Sequence, residues 1–398
     1  MNELRELFHT KAAEVPCYDV GGQVLRAARR RRRVVRGVPV AALAGVLAVV
    51  GVVAATGPFG GSVPIVAADR PAVAVSLPWL PAIVGEDDGE AVPLPTDRAV
   101  GAGSVLYGRC APPCAPRLVT EDGREYELPG PEAKSPAAPR VPTLSPDGRW
   151  LSYPDAGGRY VLRDLTDVRT VPTGTRRVIG WSADSRWAAL ADATDEDVTA
   201  LLSPGDAREV PMTLPTDEQR PLAGLTRDGG AVFGTTEARA DDAPVELRMI
   251  DANGATRTAR VDTSDLLGPD RELSGFPVLA ADGTTVLFQV MRMRDGLASP
   301  GDVVRVDLAD GSVDARFRLP VGDADVRPGQ AVGGHETGPS GGQHRQLVSA
   351  LAEGAVLVHW QGALPYAVEV LDLRSGDREA ITRVADGVVW LRVRGQTG

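Results

Sequence analysis

Cysteine is scarce in this sequence, with three residues in a chain of 398. So low a content excludes a disulfide-dense miniprotein, whose small core depends on several cross-links. The chain contains 45 glycines and 32 prolines, and 24% of its residues are charged. This composition excludes a coiled coil and a polytopic transporter, and it holds too many helix-breaking residues for a helical bundle.

Two common catalytic signatures are missing as well. The sequence contains no Walker A motif and no H-E-x-x-H metalloprotease motif. We therefore predict that the chain is not an enzyme and needs no cofactor. Its hydrophobic content of 43% is typical of a folded globular protein, and the frequent glycine and proline favour many short strands joined by turns.

One uncharged apolar run divides the chain. Residues 38–56 read VPVAALAGVLAVVGVVAAT, which is just long enough to cross a bilayer core of about 30 Å as a helix. Residues 1–37 carry a net charge of +5 and residues 57–398 a net charge of −15. Positive charge stays on the cytoplasmic side, so we predict a single-pass protein with its N-terminus inside. The arginines that set this topology and meet the lipid head groups are Arg29, Arg30, Arg31, Arg32, Arg33 and Arg36.

A cleaved signal peptide is the alternative interpretation of this run. Val53, Ala54 and Ala55 have the small-residue pattern of a cleavage site, and cleavage there yields a secreted protein. The preceding segment of 37 residues is longer than a usual signal-peptide lead, which favours the uncleaved anchor. The basic run has no interleaved aromatic residues, so we expect no nucleic-acid partner.

The cytoplasmic tail contains one amphipathic segment. Residues 3–15 place apolar side chains at helical spacing and predict a short helix, which lies on the membrane or docks a cytosolic partner. A short tail, one span and an outer domain resemble the layout of membrane-bound anti-sigma factors, which implies a transmembrane regulator as an alternative function. The zinc-binding type of that family has a His-x3-Cys-x2-Cys motif, whereas this tail has only His9 and Cys17, at a different spacing.

Residues 57–93 are rich in proline, glycine, alanine and valine. This composition predicts an extended stalk that separates the outer domain from the membrane. The alternative for the apolar stretch around Trp79 is that it packs on the domain as an edge strand.

The rest of the chain contains a repeated sequence element. Asp-Gly, or Asp followed by a small polar residue, recurs before apolar, strand-forming runs at intervals of about 40–50 residues. A second element follows each copy, alternates apolar and polar residues, and turns at Asp, Gly or Asn. The recurring turn residues are Asp147, Gly148, Asp184, Asp228, Gly229, Asp282 and Gly283.

These repeats predict a β-propeller over residues 94–398. Each unit holds four short strands and two tight turns, which is the pattern of a propeller blade. We predict six blades, with seven as the alternative, at residues 94–130, 141–175, 178–212, 221–262, 274–320 and 345–384. The last strand, residues 388–394, is predicted to pair with the first blade and close the ring. A β-sandwich is less favoured, because it does not produce an aligned turn at this interval.

The segment SPDGRWLSY at residues 145–153 and its degenerate copies resemble the repeat of TolB-like and WD-type propellers. The resemblance covers about residues 94–395 and implies the propeller fold, but not a function, because this fold serves as scaffold, sensor, ligand binder and enzyme accessory. SPDG differs from the sialidase Asp box, in which one residue separates Asp from Gly. We interpret these aspartates as turn formers, and Gly148 as a position that requires positive φ or close packing.

Two further groups contain side chains that can form a disulfide or bind a metal. Cys110 and Cys114 lie close together in a predicted hairpin loop, and outside the cell we expect them to form a structural disulfide. The loop with His335 and His344 contains potential zinc or copper ligands but no tight ligand spacing, so no metal site is predicted. His359 lies in a strand-like run and is expected to be packed or capping.

The sequence therefore predicts an all-β propeller preceded by a short cytoplasmic helix and one transmembrane helix. The domains are residues 1–37, 38–56, 57–93 and 94–398. We expect a non-catalytic binding or scaffold module for a protein or cell-envelope ligand, with a possible cytosolic partner at the tail. Its ligand-binding residues are not identified by any motif.

Overall fold

A computed structural model describes most of the chain beyond residue 76. The described residues are 65–66, 77–86, 91–109, 116–129, 142–192, 197–212, 221–235, 238, 244–267, 271–273, 276–294, 297–319, 343–352, 354–361 and 364–396. The chain divides into two units, residues 1–60 and 61–398, and all described residues belong to the second. The predicted tail helix, the arginine run and the predicted span at 38–56 lie outside the described residues. Within the described part, no helix has the length and apolarity needed to cross a membrane.

Six separate β-sheets form the six blades of a propeller, as predicted. Each blade has four antiparallel strands in sequential order, apart from blade 1, which takes its first strand from the C-terminus, and blade 5, whose first strand is split in two.

The outer segments and blade 1 contain β1 (Ile65–Val66), β2 (Ile83–Val84), β3 (Val92–Pro93), β4 (Gly103–Gly108), β5 (Arg117–Thr120) and β6 (Glu125–Glu127). Blade 2 contains β7 (Thr143–Leu144), β8 (Trp150–Pro154), β9 (Tyr160–Asp164) and β10 (Thr170–Gly174). Blade 3 contains β11 (Arg176–Trp181), β12 (Ala188–Asp192), β13 (Val198–Ser203) and β14 (Arg208–Pro211).

Blade 4 contains β15 (Leu222–Leu225), β16 (Ala231–Phe233), β17 (Val245–Ile250) and β18 (Thr256–Val261), followed by the short helix α1 (Thr263–Leu266). Blade 5 contains β19 (Arg271–Leu273), β20 (Val278–Leu279), β21 (Thr285–Arg294), β22 (Leu297–Asp307) and β23 (Val313–Arg318). Blade 6 contains β24 (Gln343–Ala350), β25 (Ala355–Gln361), β26 (Leu364–Leu371) and β27 (Arg378–Val384), and β28 (Trp390–Val393) ends the fold.

The Asp turns connect the first and second strands of blades 2 to 5. Because successive strands are antiparallel, the turn between the third and fourth strands lies at the same end of each sheet as the turn between the first and second. We call the surface that carries both sets of turns the turn face. The β21–β22 hairpin ends at the opposite face, where its two strands pair as far as Arg294 and Leu297.

The ring closes as the sequence predicted. Strand β28 pairs antiparallel with β4, with Trp390 opposite Gly108 and Val393 opposite Val105. The C-terminal strand is therefore the innermost strand of blade 1. Main-chain hydrogen bonds within this blade hold the two ends of the propeller sequence together. Blade 1 therefore has four antiparallel strands like the other blades, although its sequence comes from both ends of the propeller.

The segment before blade 1 runs along the outer rim. Strands β1, β2 and β3 pair in parallel with the outermost strands of blades 5, 6 and 1, respectively. The main chain at Ala82 and Val84 accepts hydrogen bonds of 2.9 Å from Arg383 and Ala385. Residues 77–86 and 91–93, which the sequence assigned to the stalk, thus lie on the propeller. Trp79 packs on the core as the alternative proposed, but residues 77–80 form a turn and the edge strands are β2 and β3.

Six apolar clusters make up the core, one between each pair of neighbouring blades. Alternation along a strand sends successive side chains to the two faces of its blade, so strand β21 contributes Val286 and Phe288 to one cluster and Leu287 to the next. Phe288 packs towards blade 4 and Phe317 towards blade 6, and both are fully buried. Burial of each such side chain contributes about 2–3 kcal/mol.

Candidate functional site

The first repeated turn is built by a hydroxyl and a carboxylate. In blade 2, the Ser145 hydroxyl donates to Asp147 Oδ1 at 2.5 Å, and the same oxygen accepts the Arg149 amide at 3.0 Å. The Trp150 amide donates to Ser145 Oγ at 2.9 Å. Ser182–Asp184 and Thr226–Asp228 repeat the hydroxyl–carboxylate bond, and Asp282 accepts from the amides of Thr284 and Thr285.

The glycines of these turns have positive φ. Gly148, Gly229 and Gly283 have φ values of +69°, +85° and +74°, and Ser185 occupies the same place in blade 3 with φ +60°. A Cβ on Gly148 would overlap the Gly103 carbonyl oxygen and the Arg394 guanidinium, whereas a Cβ on Gly283 would meet nothing within 4 Å. Gly148 is therefore constrained by both conformation and space.

The second set of turns also uses aspartates. Asp164, Asp251, Asp307 and Asp372 each accept, through Oδ1, the amide of the residue two positions later, at 2.6–2.9 Å. Asp164 is fully buried, and burial alone would raise its pKa. The hydrogen bonds from Arg149 and Thr166 outweigh that effect and hold the pKa of Asp164 below its usual value.

The turn residues singled out from the sequence are spread over blades 2 to 5 on the turn face, and the structure does not gather them into one site. Each one contacts its own turn, as expected of a residue that shapes the backbone. The predicted disulfide partners Cys110 and Cys114, the six arginines of the basic run, and His335 lie outside the described residues. The backbone of His344 lies in β24, opposite Trp360.

His359 belongs to a buried polar network that the sequence did not reveal. Its Nε2 lies 2.5 Å from Glu369 Oε2, and its Nδ1 lies 3.2 Å from the Tyr366 hydroxyl. Arg345 and Arg378 also contact the Glu369 carboxylate, at 3.2 and 3.1 Å. Burial alone would raise the pKa of Glu369, but His359 and the two guanidiniums more than compensate, so its pKa lies below the usual value.

The axis of the ring is nearly filled at the turn face. One small cavity of about 20 Å³ is lined by residues from all six blades, which places it on the axis. Its walls include Pro146, Trp181, Leu225, Leu279 and Gly395, the last being next to β28. Such a volume holds about one water molecule.

A larger cleft lies off the axis, between the turns of blades 4 and 5. Its volume is about 400 Å³, within the range of small-ligand and side-chain binding sites. Its apolar lining comes from Ala231, Met249, Ile250 and Leu308. Both sets of turns contribute to it, because blades 4 and 5 present their turns at the same face.

Three carboxylates line this cleft, from Asp228, Asp251 and Asp307, together with one cation, Arg257. Each carboxylate is oriented through Oδ1, by the Thr226 hydroxyl at Asp228 and by main-chain amides at Asp251 and Asp307. Among the described residues, their Oδ2 atoms accept no hydrogen bond. The cleft thus combines an apolar base with outward-facing negative charge.

This cleft does not have the arrangement of a metal centre. Across the described residues, no three His, Cys, Asp or Glu side chains lie close enough together to hold a metal ion. Asp228 was singled out from the sequence, but Asp251 and Asp307 were recognised only as part of a turn-forming pattern.

Neither a protein-family model nor a curated protein matches this sequence. Solved structures do match. TolB from Acinetobacter baumannii is 13% identical, with a TM-score of 0.40 over 69% of this chain, which spans 62% of that one. A putative TolB from Agrobacterium tumefaciens is 18% identical, with a TM-score of 0.35 over 75% of this chain and 92% of that one.

Propeller enzymes also occur among the similar structures. Oligogalacturonate lyase in complex with manganese is 10% identical, with a TM-score of 0.42 over 75% of this chain and 80% of that one. The dihydro-heme d1 dehydrogenase NirN also matches, at 17% identity and a TM-score of 0.34, over 76% of this chain and 79% of that one. The structural neighbours are thus TolB and related propeller proteins, and this chain is a six-bladed β-propeller.

Proposed function

We propose that this chain is a non-catalytic binding module that holds a protein segment in the cleft between blades 4 and 5. The observation that carries the proposal is the pairing of an apolar base with three oriented carboxylates in a cavity of about 400 Å³. An apolar side chain of the partner would pack on Met249 and Ile250, and a neighbouring lysine or arginine would meet Asp251 or Asp307. Charge-assisted hydrogen bonds of this kind are stronger than neutral ones.

We further propose that residues 38–56 anchor the module in a membrane, with the propeller on the extracytoplasmic side. The proposal rests on the uncharged run and on the arginines that precede it. An external protease applied to spheroplasts should degrade the propeller and leave the tail protected. A secreted product that begins near Thr56 would show that the run is a cleaved signal peptide instead.

Binding in the cleft is testable with a defined probe. We expect the full-length chain in detergent to bind a fluorescent peptide of alternating leucine and lysine more tightly than a matched leucine and glutamate peptide. The double variant Asp251→Asn/Asp307→Asn should weaken binding of the lysine peptide about tenfold or more, because two charge pairs are lost. Fluorescence anisotropy measures both affinities.

Asp206→Asn is a matched control. Asp206 occupies the corresponding turn of blade 3 and accepts the Arg208 amide, but it does not line the cleft. It should therefore leave peptide affinity unchanged. Equal affinity for the two peptides, or equal loss in the control and the double variant, would rule out the cleft as the binding site.

A further inference from the structure

One buried carboxylate on blade 5 is shared by three arginines. The Asp302 side chain is 0% exposed, and its Oδ2 lies 2.8 Å from Arg271 Nη1 and 3.3 Å from Arg316 Nη1. Its Oδ1 lies 3.4 Å from Arg292 Nη2. The four residues come from β19, β21, β22 and β23, on the side of blade 5 that faces blade 4.

The charges in this group do not balance. One carboxylate neutralises one guanidinium, so the group retains an excess of two positive charges. Arg316 has other acceptors, because its Nη2 donates to the carbonyls of Asp265 and Leu266 at 2.9 and 2.7 Å. For Arg271 and Arg292, Asp302 is the only acidic partner among the described residues.

Arg271 and Arg292 also face each other directly. They are opposite residues in the pairing of β19 with β21, and like charges in that position are unfavourable. Burial lowers the pKa of the Arg271 guanidinium; Asp302 opposes that shift, whereas Arg316, Arg292 and Arg318 add to it. The neighbouring guanidiniums thus act on Arg271 as uncompensated charge.

One N–H donor of these arginines also lacks an acceptor among the described residues. The Nε of Arg292 is buried and has no hydrogen-bond partner in the described part of the chain, and a buried donor without a partner is unfavourable. The Arg271 and Arg292 side chains are nevertheless 21% and 32% exposed. A small solute is therefore able to reach the guanidiniums from outside.

We propose that Arg271 and Arg292 form a binding site for a phosphate group on this side of blade 5. A phosphate dianion matches the excess of two charges, and its oxygens accept the parallel N–H bonds that a guanidinium donates. Asp302 and the carbonyls of Asp265 and Leu266 position the arginines. The site is separate from the Asp-lined cleft and does not depend on the function proposed for that cleft.

The purely structural alternative is that these arginines only stabilise Asp302 and remain solvated by water. The two interpretations predict different affinities for phosphate: a binding site has a measurable affinity, and a purely structural cluster has none. We therefore propose calorimetric titration of the full-length chain in detergent with inorganic phosphate, and separately with glycerol 1-phosphate, at constant ionic strength. Inorganic phosphate tests a free anion, and glycerol 1-phosphate tests a phosphate ester.

The parent should bind at least one of the two ligands, and Arg271→Gln/Arg292→Gln should raise the dissociation constant about tenfold or more. Arg260→Gln is the matched control, because Arg260 forms an exposed pair with Glu246 on blade 4; it should bind as the parent does. If the double variant does not fold, Arg292→Lys tests the same point, since it retains the charge and loses the planar fork. It too should weaken binding.

If the parent binds neither ligand at concentrations up to about 10 mM, which corresponds to a binding free energy weaker than about 3 kcal/mol, the proposal is overturned. Equal affinity in the parent and in the arginine variants would overturn it as well. Preference for glycerol 1-phosphate would identify a phosphate ester as the ligand, and preference for inorganic phosphate would identify the free anion.

Discussion

The guanidinium of Arg394 lies over the ring of Trp79, with 4.6 Å between its central carbon and the ring centroid. Arg394 directly follows the last strand, and Trp79 precedes the first blade, so the contact joins the two ends of the described chain. The same guanidinium donates to the Gly103 carbonyl and to Glu121. The buried Arg394 side chain thus connects the closing strand β28 with blade 1 and with the segment that precedes blade 1.

Arg394→Ala should lower the free energy of unfolding by about 2–3 kcal/mol, because it removes charge-assisted hydrogen bonds and one cation–π contact. Chemical denaturation measures the change. Arg374→Ala is the control, since Arg374 is exposed and its loss should cost less than about 0.5 kcal/mol. Equal effects of the two substitutions would show that Arg394 has no special part in ring closure.

Gly148→Ala should destabilise the propeller more than Gly283→Ala. The two glycines have nearly the same φ, so the conformational cost of a side chain, about 1–2 kcal/mol, is common to both. Only at Gly148 would the added side chain overlap the Gly103 carbonyl. This overlap should lower the free energy of unfolding by a further ~1–3 kcal/mol. Thermal unfolding of the two variants gives the comparison, and equal melting temperatures would contradict it.

Asp147→Ala should cost about 1 kcal/mol, because it removes the acceptor of the Ser145 hydroxyl and the Arg149 amide. Asp184→Ala and Asp282→Ala should behave alike, each through its own turn, with one cooperative transition shifted downward. None of the three should change affinity for the lysine peptide. Asp228→Ala should weaken that affinity in addition, because Asp228 lines the cleft. A variant of Asp147 that unfolds as the parent does but no longer binds would show that the turn residues form a site.

Glu369 should make the propeller sensitive to acid. Its pKa is lowered in the folded protein, so its contribution is complete above the unfolded pKa of about 4.3 and is lost as the pH falls through the folded value. Glu369→Gln should destabilise the protein by about 3 kcal/mol at neutral pH, and its difference from the parent should shrink below about pH 4.3. Unfolding curves between neutral and acidic pH measure this difference.

Glu127→Gln is the control for Glu369, because Glu127 is exposed on the outer strand of blade 1. Its stability should follow that of the parent at every pH. A constant difference between Glu369→Gln and the parent across the acidic range would mean that Glu369 keeps its unfolded-state pKa in the fold.

Cys110 and Cys114 remain predicted disulfide partners. A thiol reagent applied to the folded protein without reductant should modify neither residue, and both should react after reduction. Because the loop they close is short, reduction should change the melting temperature only modestly. Immediate labelling of both thiols in the oxidised preparation would exclude the disulfide.

The blades were predictable because their signals are local. An Asp turn followed by alternating residues, as at Asp147 to Tyr153, specifies a hairpin within a few positions, and its recurrence at intervals of about 40–50 residues indicates a propeller. Closure was predictable as well. The strand expected at residues 388–394 follows the four strands of the last blade, so its partner had to come from the first blade.

The sites were not predictable from such signals. Asp251 and Asp307 meet at one cleft only because adjacent blades bring their turns together, and the sequence separates them by a whole blade. The Asp302 group draws its arginines from three other strands, where each is an ordinary polar residue in an alternating pattern. Strands β2 and β3 are two residues long, too short to show any periodicity.

The rim strands determine how the propeller would respond to a pulling force. A load applied at residue 65 would meet β1 first, then β2 and β3, because these strands lie in sequence on blades 5, 6 and 1. Each of these strands has two residues and is held by few hydrogen bonds, so the three would detach one after another. Once all three strands had detached, residues 67–92 would extend to at most about 90 Å before tension reached the closing strand. A chain tethered at its N-terminus would thus gain an extensible connection when these three short strands detach.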